Sequence, residues 1–340
     1  MYPNSIKIAA SGLFAQQSSL DTISKNIANK DVEGYKRLNP SFKTVPNNGG
    51  VSYSASSNNY PWVDRNLAEK SSDLSRAVSV KEGMEAMDNL AMNNNVEEAY
   101  SGFLNASKNL QSFPESQQFL QEFNSAGRTL NDSINQAKEG FADVQRTVKN
   151  KIDLGKIELD SLKNQLTQLS SKGINETNSN DVQLLQQRIA SLTGSVAGYN
   201  EFINNISPPL VYKFDGITKK LKDNINQAGG QVMFSSDGKW NDQTLVNNTY
   251  VNNTGQIIDF KNEIGTLKTE IGALSNKSLL DTKFMTNQRD QAAAEYDRTY
   301  GVNLENEIVN MMNAQRMYEA NAKVLKTSDN MIGSLLNAIG

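Results

Sequence analysis

The chain has 340 residues, a length that suits about two domains, and its 34 basic and 37 acidic residues leave a net charge of −3. That balance excludes a strongly basic nucleic-acid binder and supplies no polybasic membrane patch. Histidine and cysteine are both absent. Disulfides, thiol nucleophiles, thiolate metal sites and the commonest general base are therefore missing, and the composition weighs against an enzyme.

The start, Met1-Tyr2-Pro3-Asn4-Ser5-Ile6-Lys7, has no basic segment leading into an apolar core, so no cleaved secretory signal is expected. No run approaches the ~18 apolar residues that cross a bilayer. From Ile6 to Asn29 the apolar residues Ile6, Leu13, Leu20 and Ile27 recur every seventh position, with Ala9, Ala10 and Ile23 widening the stripe. This predicts a helix, capped near Asn4 or Ser5 and finished before Gly34. Residues 39–61 change to Pro, Asn, Gly and Ser, and read as a surface loop with a short extended piece at Val51–Ser54. Helical pattern resumes at Trp62 and runs with interruptions to Ile206, broken at Phe113-Pro114-Glu115.

Two stretches of that run carry heptads. Val182, Ile189, Val196 and Ile203 share one position, with Leu185, Leu192, Tyr199 and Ile206 on its partner. Ahead of them, Ile152, Leu159 and Leu166 stand beside Val148, Leu162 and Leu169. A polar connection over 172–179 makes an antiparallel hairpin the simplest packing. Pro208-Pro209 should end it, followed by a short helix over Phe214–Ala228 and a small β-hairpin, Gln231–Asn241, turning at Ser236-Asp237-Gly238. Asn247–Gly255 reads as loop. A further heptad run pairs Ile257, Ile264 and Ile271 with Phe260, Leu267 and Leu274. The last helix places Leu304, Met311, Tyr318, Leu325, Ile332 and Ile339 at sevenfold steps, with Asn303 as its N-cap and Glu305 and Glu307 near its positive end.

The expected fold is all-α: a terminal-helix coiled coil, an elongated antiparallel helical bundle and a minor β-hairpin insertion. Its divisions are 1–36 with 300–340 as the terminal pair, 37–61 as loop, 62–209 with 256–299 as bundle, and 210–255 as short helix and hairpin. A period of seven stays in register on an α-helix only where helices supercoil around a partner. Both ends of the chain carry such a seam. They are either two helices of an ordinary bundle or a pair that also meets neighbouring subunits, leaving apolar surface to be covered on assembly.

Ala10-Ser11-Gly12-Leu13, then Ala15, Gln17, Leu20, Ser24 and Asn26-Ile27-Ala28-Asn29, ending in Gly34-Tyr35, resemble the N-terminal signature of bacterial flagellar axial proteins. Gly301-Val302-Asn303-Leu304-Glu305, with Glu307, Gln315, Tyr318, Ala320 and Ala322, is similar to the matching C-terminal signature. Within that family the long helices between the two ends resemble the hook–filament junction members, since rod and hook proteins place β-rich domains there. The resemblance implies terminal helices lining a tube, a bundle outside them, and export through the flagellar channel to the cell exterior without a cleaved signal. The implied role is structural, a layer joining hook to filament. The implied partners are further copies of the chain, hook protein, a second junction protein and an export chaperone, with no nucleic acid and no membrane insertion. Hook or rod protein, or a secreted coiled-coil binding module, are the alternatives.

Other residue groups carry no chemistry. Glu97-Glu98 are adjacent and point to different helix faces, and Glu305 with Glu307 suit a helix start. Gly49-Gly50 and Gly229-Gly230 lack the strand, helix and lysine of a phosphate loop and read as turns. Lys213, Lys219, Lys220 and Lys222 form an exposed helical face in an acidic chain, and Met311-Met312 suits adaptable packing. No catalytic, cofactor or metal site is expected.

Overall fold

Only seven prolines punctuate the chain, and the computed structural model is built almost wholly from helices. It describes residues 2–32, 34–46, 49–173, 179–229, 233–244 and 254–339. In chain order these are α1 (Tyr2–Ala28), β1 (Leu38–Val45), β2 (Gly50–Ser57), α2 (Pro61–Asn93), α3 (Val96–Ser112), α4 (Gln117–Ser171), α5 (Ser179–Glu201), α6 (Ser207–Gly229), α7 (Thr254–Tyr300) and α8 (Leu304–Ile339). The expected all-α class holds, with one two-stranded antiparallel sheet among the described residues. The chain divides into two compact units. A terminal unit takes Met1–Lys70, Leu162–Ala190 and Gln288–Gly340, and a central unit takes Ser71–Ser161 and Ser191–Asn287.

The central unit is held by aromatic and aliphatic fill. On α3 the residues Val96, Ala99, Tyr100, Phe103, Ala106 and Leu110 are buried, the i, i+3, i+4, i+7 spacing of a one-sided helix. Phe103 meets Phe123 at 5.3 Å and Trp240 at 5.7 Å between ring centroids, and Phe141 meets Phe214 at 5.1 Å. These edge and tilted contacts suit the ring quadrupoles. The predicted α4–α5 pairing is antiparallel here: Lys151 bonds Tyr199, and Gln145 donates to Ser207 at 2.9 Å. Against α2, α5 approaches closely at two glycines four apart. A Cβ on Gly194 would lie 2.0 Å from the carbonyl oxygen of Ser72, and one on Gly198 2.2 Å from that of Arg76.

Three expectations change. Pro208-Pro209 does not end the helical run, because Phe202–Ile206 forms a π-helical turn that leads directly into α6. The prolines have no N–H to offer the preceding turn, and the wider turn re-partners the backbone, with Ser207 N–H bonding the Phe202 carbonyl. The segment read as an insertion belongs to the same core. Leu210, Phe214, Leu221 and Ile225 of α6, with Met233 and Phe234, pack among the residues of α2–α4. The hairpin turn at Ser236-Asp237-Gly238 is present, closed by an antiparallel bridge between Phe234 and Trp240. Gln231 and most of the Asn247–Gly255 loop lie outside the described residues.

The third change lies in the terminal unit. Residues 37–61, read as loop, hold β1 and β2 in register, with Leu38 opposite Ser57, Phe42 opposite Tyr53 and Val45 opposite Gly50. Their sequence lacks apolar alternation because this sheet packs on α1 through small residues and hydrogen bonds. Gly50 and Ala55 are its buried residues on β2, while Thr22 and Tyr53 share a 2.5 Å bond.

Candidate assembly site at the joined termini

The two ends of the chain meet as an antiparallel pair. Gly12 lies opposite Asn321, where a Cβ on the glycine would sit 2.9 Å from the amide nitrogen, and Gln16 reaches the Met317 sulfur at 3.4 Å. The predicted seam is partly buried along this contact at Ile6, Leu13, Leu20 and Ile27 of α1 and at Met311, Leu325 and Ile332 of α8. Leu304 and Tyr318 are exposed, and the Ile339 side chain lies outside the described residues. The fully buried face of α1 is offset from that stripe. Ala9, Ala15, Ile23 and Asn26 fill it, because α1 serves both α8 and the β-hairpin.

Signature residues account for the joints of this unit. Ser11 donates to the Ile8 carbonyl at 2.8 Å and accepts the Val51 N–H at 3.0 Å, fixing the start of β2 on α1. Asn26 is fully buried. Its amide donates to the Leu38 carbonyl at 2.8 Å, and its oxygen accepts the Leu38 N–H at 2.9 Å and the Tyr35 hydroxyl at 2.9 Å. Asn26 thus behaves like a strand partner for β1, satisfying backbone groups that burial would otherwise strand. Asn29 donates to the Lys25 carbonyl and finishes α1. Gly34 has a φ of +81°, the left-handed turn that glycine takes without strain, and its carbonyl accepts the Tyr296 hydroxyl at 2.8 Å. The Gly301 N–H closes α7 on the Asp297 carbonyl, and the Asn303 side chain accepts the Asn306 N–H at 3.0 Å, the predicted N-cap of α8. Glu305 and Gln315 are exposed, and nothing here explains them.

Charge sits at the centre of the joint. Arg37 pairs with Glu307 at 2.5 Å, tying residues 270 positions apart, and the Glu307 side chain is fully buried. Its second oxygen, Oε2, has no hydrogen-bond partner. Next to this pair Lys36 bonds Asp64 at 2.7 Å and lies 4.4 Å above the Tyr300 ring. The Tyr300 hydroxyl accepts the Tyr60 N–H at 2.8 Å and donates to the Tyr60 carbonyl at 3.0 Å. Burial raises the pKa values of Tyr35, Tyr296 and Tyr300, and the charge on Glu307 adds to the rise at Tyr35. These phenols stay protonated at neutral pH and act as donors. Such an arrangement fixes the angle of α8; it offers neither a nucleophile nor a poised acid–base pair.

Sequence reading placed Glu307 at a helix start and did not find its pairing with Arg37, nor Lys36, Asp64 and Tyr300 as one cluster. Residues so far apart carry no spacing signal; the basic pair Lys36-Arg37 directly after Gly34-Tyr35 was the available hint. Among the described residues no three acidic side chains gather in a way that could hold a metal ion, and no helix is long and apolar enough to cross a membrane.

The geometry defines a class: a chain whose remote ends are joined into one helix pair, with a separate helical unit formed by the residues between. Residues 6–36 match the family model described as Flagella basal body rod protein, and residues 293–338 match the one described as Flagellar basal body rod FlgEFG protein C-terminal. Both matches fall within the terminal unit, and together they support a structural component of the flagellar axis. No curated protein and no solved structure matches the chain.

Proposed function

We propose that this chain is an axial subunit of the bacterial flagellum that forms the layer joining hook to filament, a role like that of hook-associated protein 1. The observation that carries this reading is the pairing of the two matched termini in one unit, while the residues between them build long helices around an aromatic core. On this reading the unit at the ends supplies the contacts of a tube. Its partners on this reading are further copies of itself, hook protein below, a second junction protein above, and an export chaperone that covers α8 before assembly. Export proceeds without a cleaved signal, and the mature chain resides outside the cell.

A second reading, a hook or rod subunit, is favoured by the description of the C-terminal match. Fluorescent labelling of the chain in intact flagella separates the two. Signal confined to the boundary above the hook supports the junction layer. Signal along the hook, or within the cell envelope, replaces it with the second reading. Diffuse label away from flagella removes both.

A further inference from the structure

Asn124, Gly127, Arg128 and Asn131 stand at i, i+3, i+4 and i+7 on one face of α4, and all four serve segment 233–244. The Asn124 amide donates to the Gln243 carbonyl at 3.0 Å and accepts the Gln243 N–H at 2.8 Å. From α6 the Asn226 amide treats Phe234 in the same way, at 2.8 and 2.7 Å. These are the strand-like bonds that Asn26 makes to Leu38 in the terminal unit. Arg128 holds the Asp242 carboxylate at 2.6 Å, and Lys222 ties the Asn131 side chain to the Gly238 carbonyl, at 3.0 and 2.7 Å. The segment's own backbone bonds close within it: the Asn241 N–H on the Met233 carbonyl, the Ser235 N–H on that of Lys239. The helices therefore keep their ladders whether the segment is docked or lifted.

Trp240 enters the core from this segment. A Cβ on Gly127 would lie 2.4 Å from the indole, so the glycine is what leaves room for the ring. Phe103, Phe123 and Phe234 meet Trp240 edge to face, with centroids 5.7, 5.5 and 5.2 Å away. Docking nonetheless leaves two polar groups poorly served. The indole Nε1–H is buried and finds no acceptor among the described residues. The Lys222 amine bonds neutral acceptors and lies 5.0 Å over the Phe234 ring; burial lowers its pKa, and the charge of Lys138 lowers it further. Both penalties are relieved when the segment lifts into water.

We infer that segment 233–244 is a strap that lifts from its groove on α4 and α6 as one piece, ahead of the helices, and that lifting bares a slot for a single planar aromatic group, which Trp240 fills in the closed chain. Rings on three sides and a glycine on the fourth suit an uncharged flat ring. Openings of this kind need less free energy than global unfolding. The strap lies wholly in the central unit, so its behaviour is independent of the axial role proposed above.

The chain has two tryptophans, and Trp62 is 56% exposed, so Trp62→Phe leaves Trp240 as the sole reporter of the strap. In urea the emission of this full-length variant should move to longer wavelength before its helical circular dichroism falls. The Asn241 and Gln243 amides should exchange at least about tenfold faster than amides in the middle of α3. Adding Arg128→Ala should bring the fluorescence midpoint to lower urea and leave the circular-dichroism midpoint in place. Trp62→Phe with Trp240→Ala has no tryptophan, and indole added to it should show a saturable blue shift of its own emission, abolished by a further Gly127→Leu. A fluorescence change that coincides with or follows the loss of helix overturns the strap, as does a Trp240→Ala chain that loses its helices. No blue shift in a variant that keeps its helical circular dichroism overturns the slot.

Discussion

The central and terminal units are both helical, yet they are held together by different means. Among the largest fully buried side chains, Tyr100, Phe103, Phe123, Phe141, Phe202 and Phe214 lie in the central unit, whereas the terminal unit contributes Ile23 and Tyr296. Conversely, the buried charged side chains among the described residues, Lys36 and Glu307, are both terminal. One unit gains its order from apolar area removed from water. The other adds to a small apolar cluster, Val63, Leu67, Ala292, Tyr296 and Tyr300, hydrogen bonds and ion pairs with fixed geometry, and it leaves Phe14, Ile308, Met312, Val324 and Met331 exposed, as the central unit leaves Leu154, Ile157 and Tyr212. A thin helix pair cannot bury its own apolar residues on every side, so polar ties set its angle while the remaining apolar surface stays available to a partner.

The contrast can be broken most severely at Phe103. Phe103→Ala removes a side chain with 0% exposure and should cost about 3–5 kcal/mol, read by chemical denaturation. Hydrogen exchange should show the loss across α3 and the first half of α4; a cost below about 1 kcal/mol would mean that the aromatic cluster is not the unit's chief support. Glu307→Ala is the terminal counterpart. It deprives Arg37 of its partner, but Arg37 keeps 27% exposure and is partly hydrated, so about 2 kcal/mol is expected. Amide protection should fall at the start of α8 and at β1, and unchanged protection there would remove the ion pair from its assigned role.

A smaller effect follows from Asn303→Ala, which deletes the α8 cap and should cost about 1 kcal/mol, with fraying confined to residues 304–307. The mildest test concerns the 233–241 turn. The Ser235 hydroxyl, and then Lys239, hold the Asp237 carboxylate at a pKa of about 2, below its ordinary 3.8. A depressed carboxylate stabilises the fold above its unfolded value and loses that contribution as pH falls through the folded one. The turn should therefore loosen between about pH 4 and pH 2. An NMR titration of Asp237 centred near 3.8 would show that these bonds do not form in solution.

Legibility differed between the units for the same physical reason. The central helices were readable because burial writes itself as period: Val96 to Leu110, or the pairing of α4 with α5, follows from which side of a helix is apolar. Helix ends marked by local chemistry were readable too, as Asn303 shows. The β-hairpin was not, because Gly50 and Ala55 pack against α1 by being small and Asn26 replaces an apolar contact with three hydrogen bonds. The prolines at 208 and 209 misled because a π turn can absorb missing donors at little cost to the helix.

By itself the sequence determined that this is a helical chain with matching heptad ends, a capped last helix and no residues for histidine or cysteine chemistry, since each of these is written in local spacing or in composition. Only the tertiary structure decided that Arg37 meets Glu307, that α1 turns its buried face toward a β-hairpin as well as toward α8, and that the seam residues Leu304 and Tyr318 stay exposed in the single chain. Contacts between residues hundreds of positions apart leave no periodic trace. Where a stripe of apolar residues exists, its spacing states that something covers it, and packing alone states what.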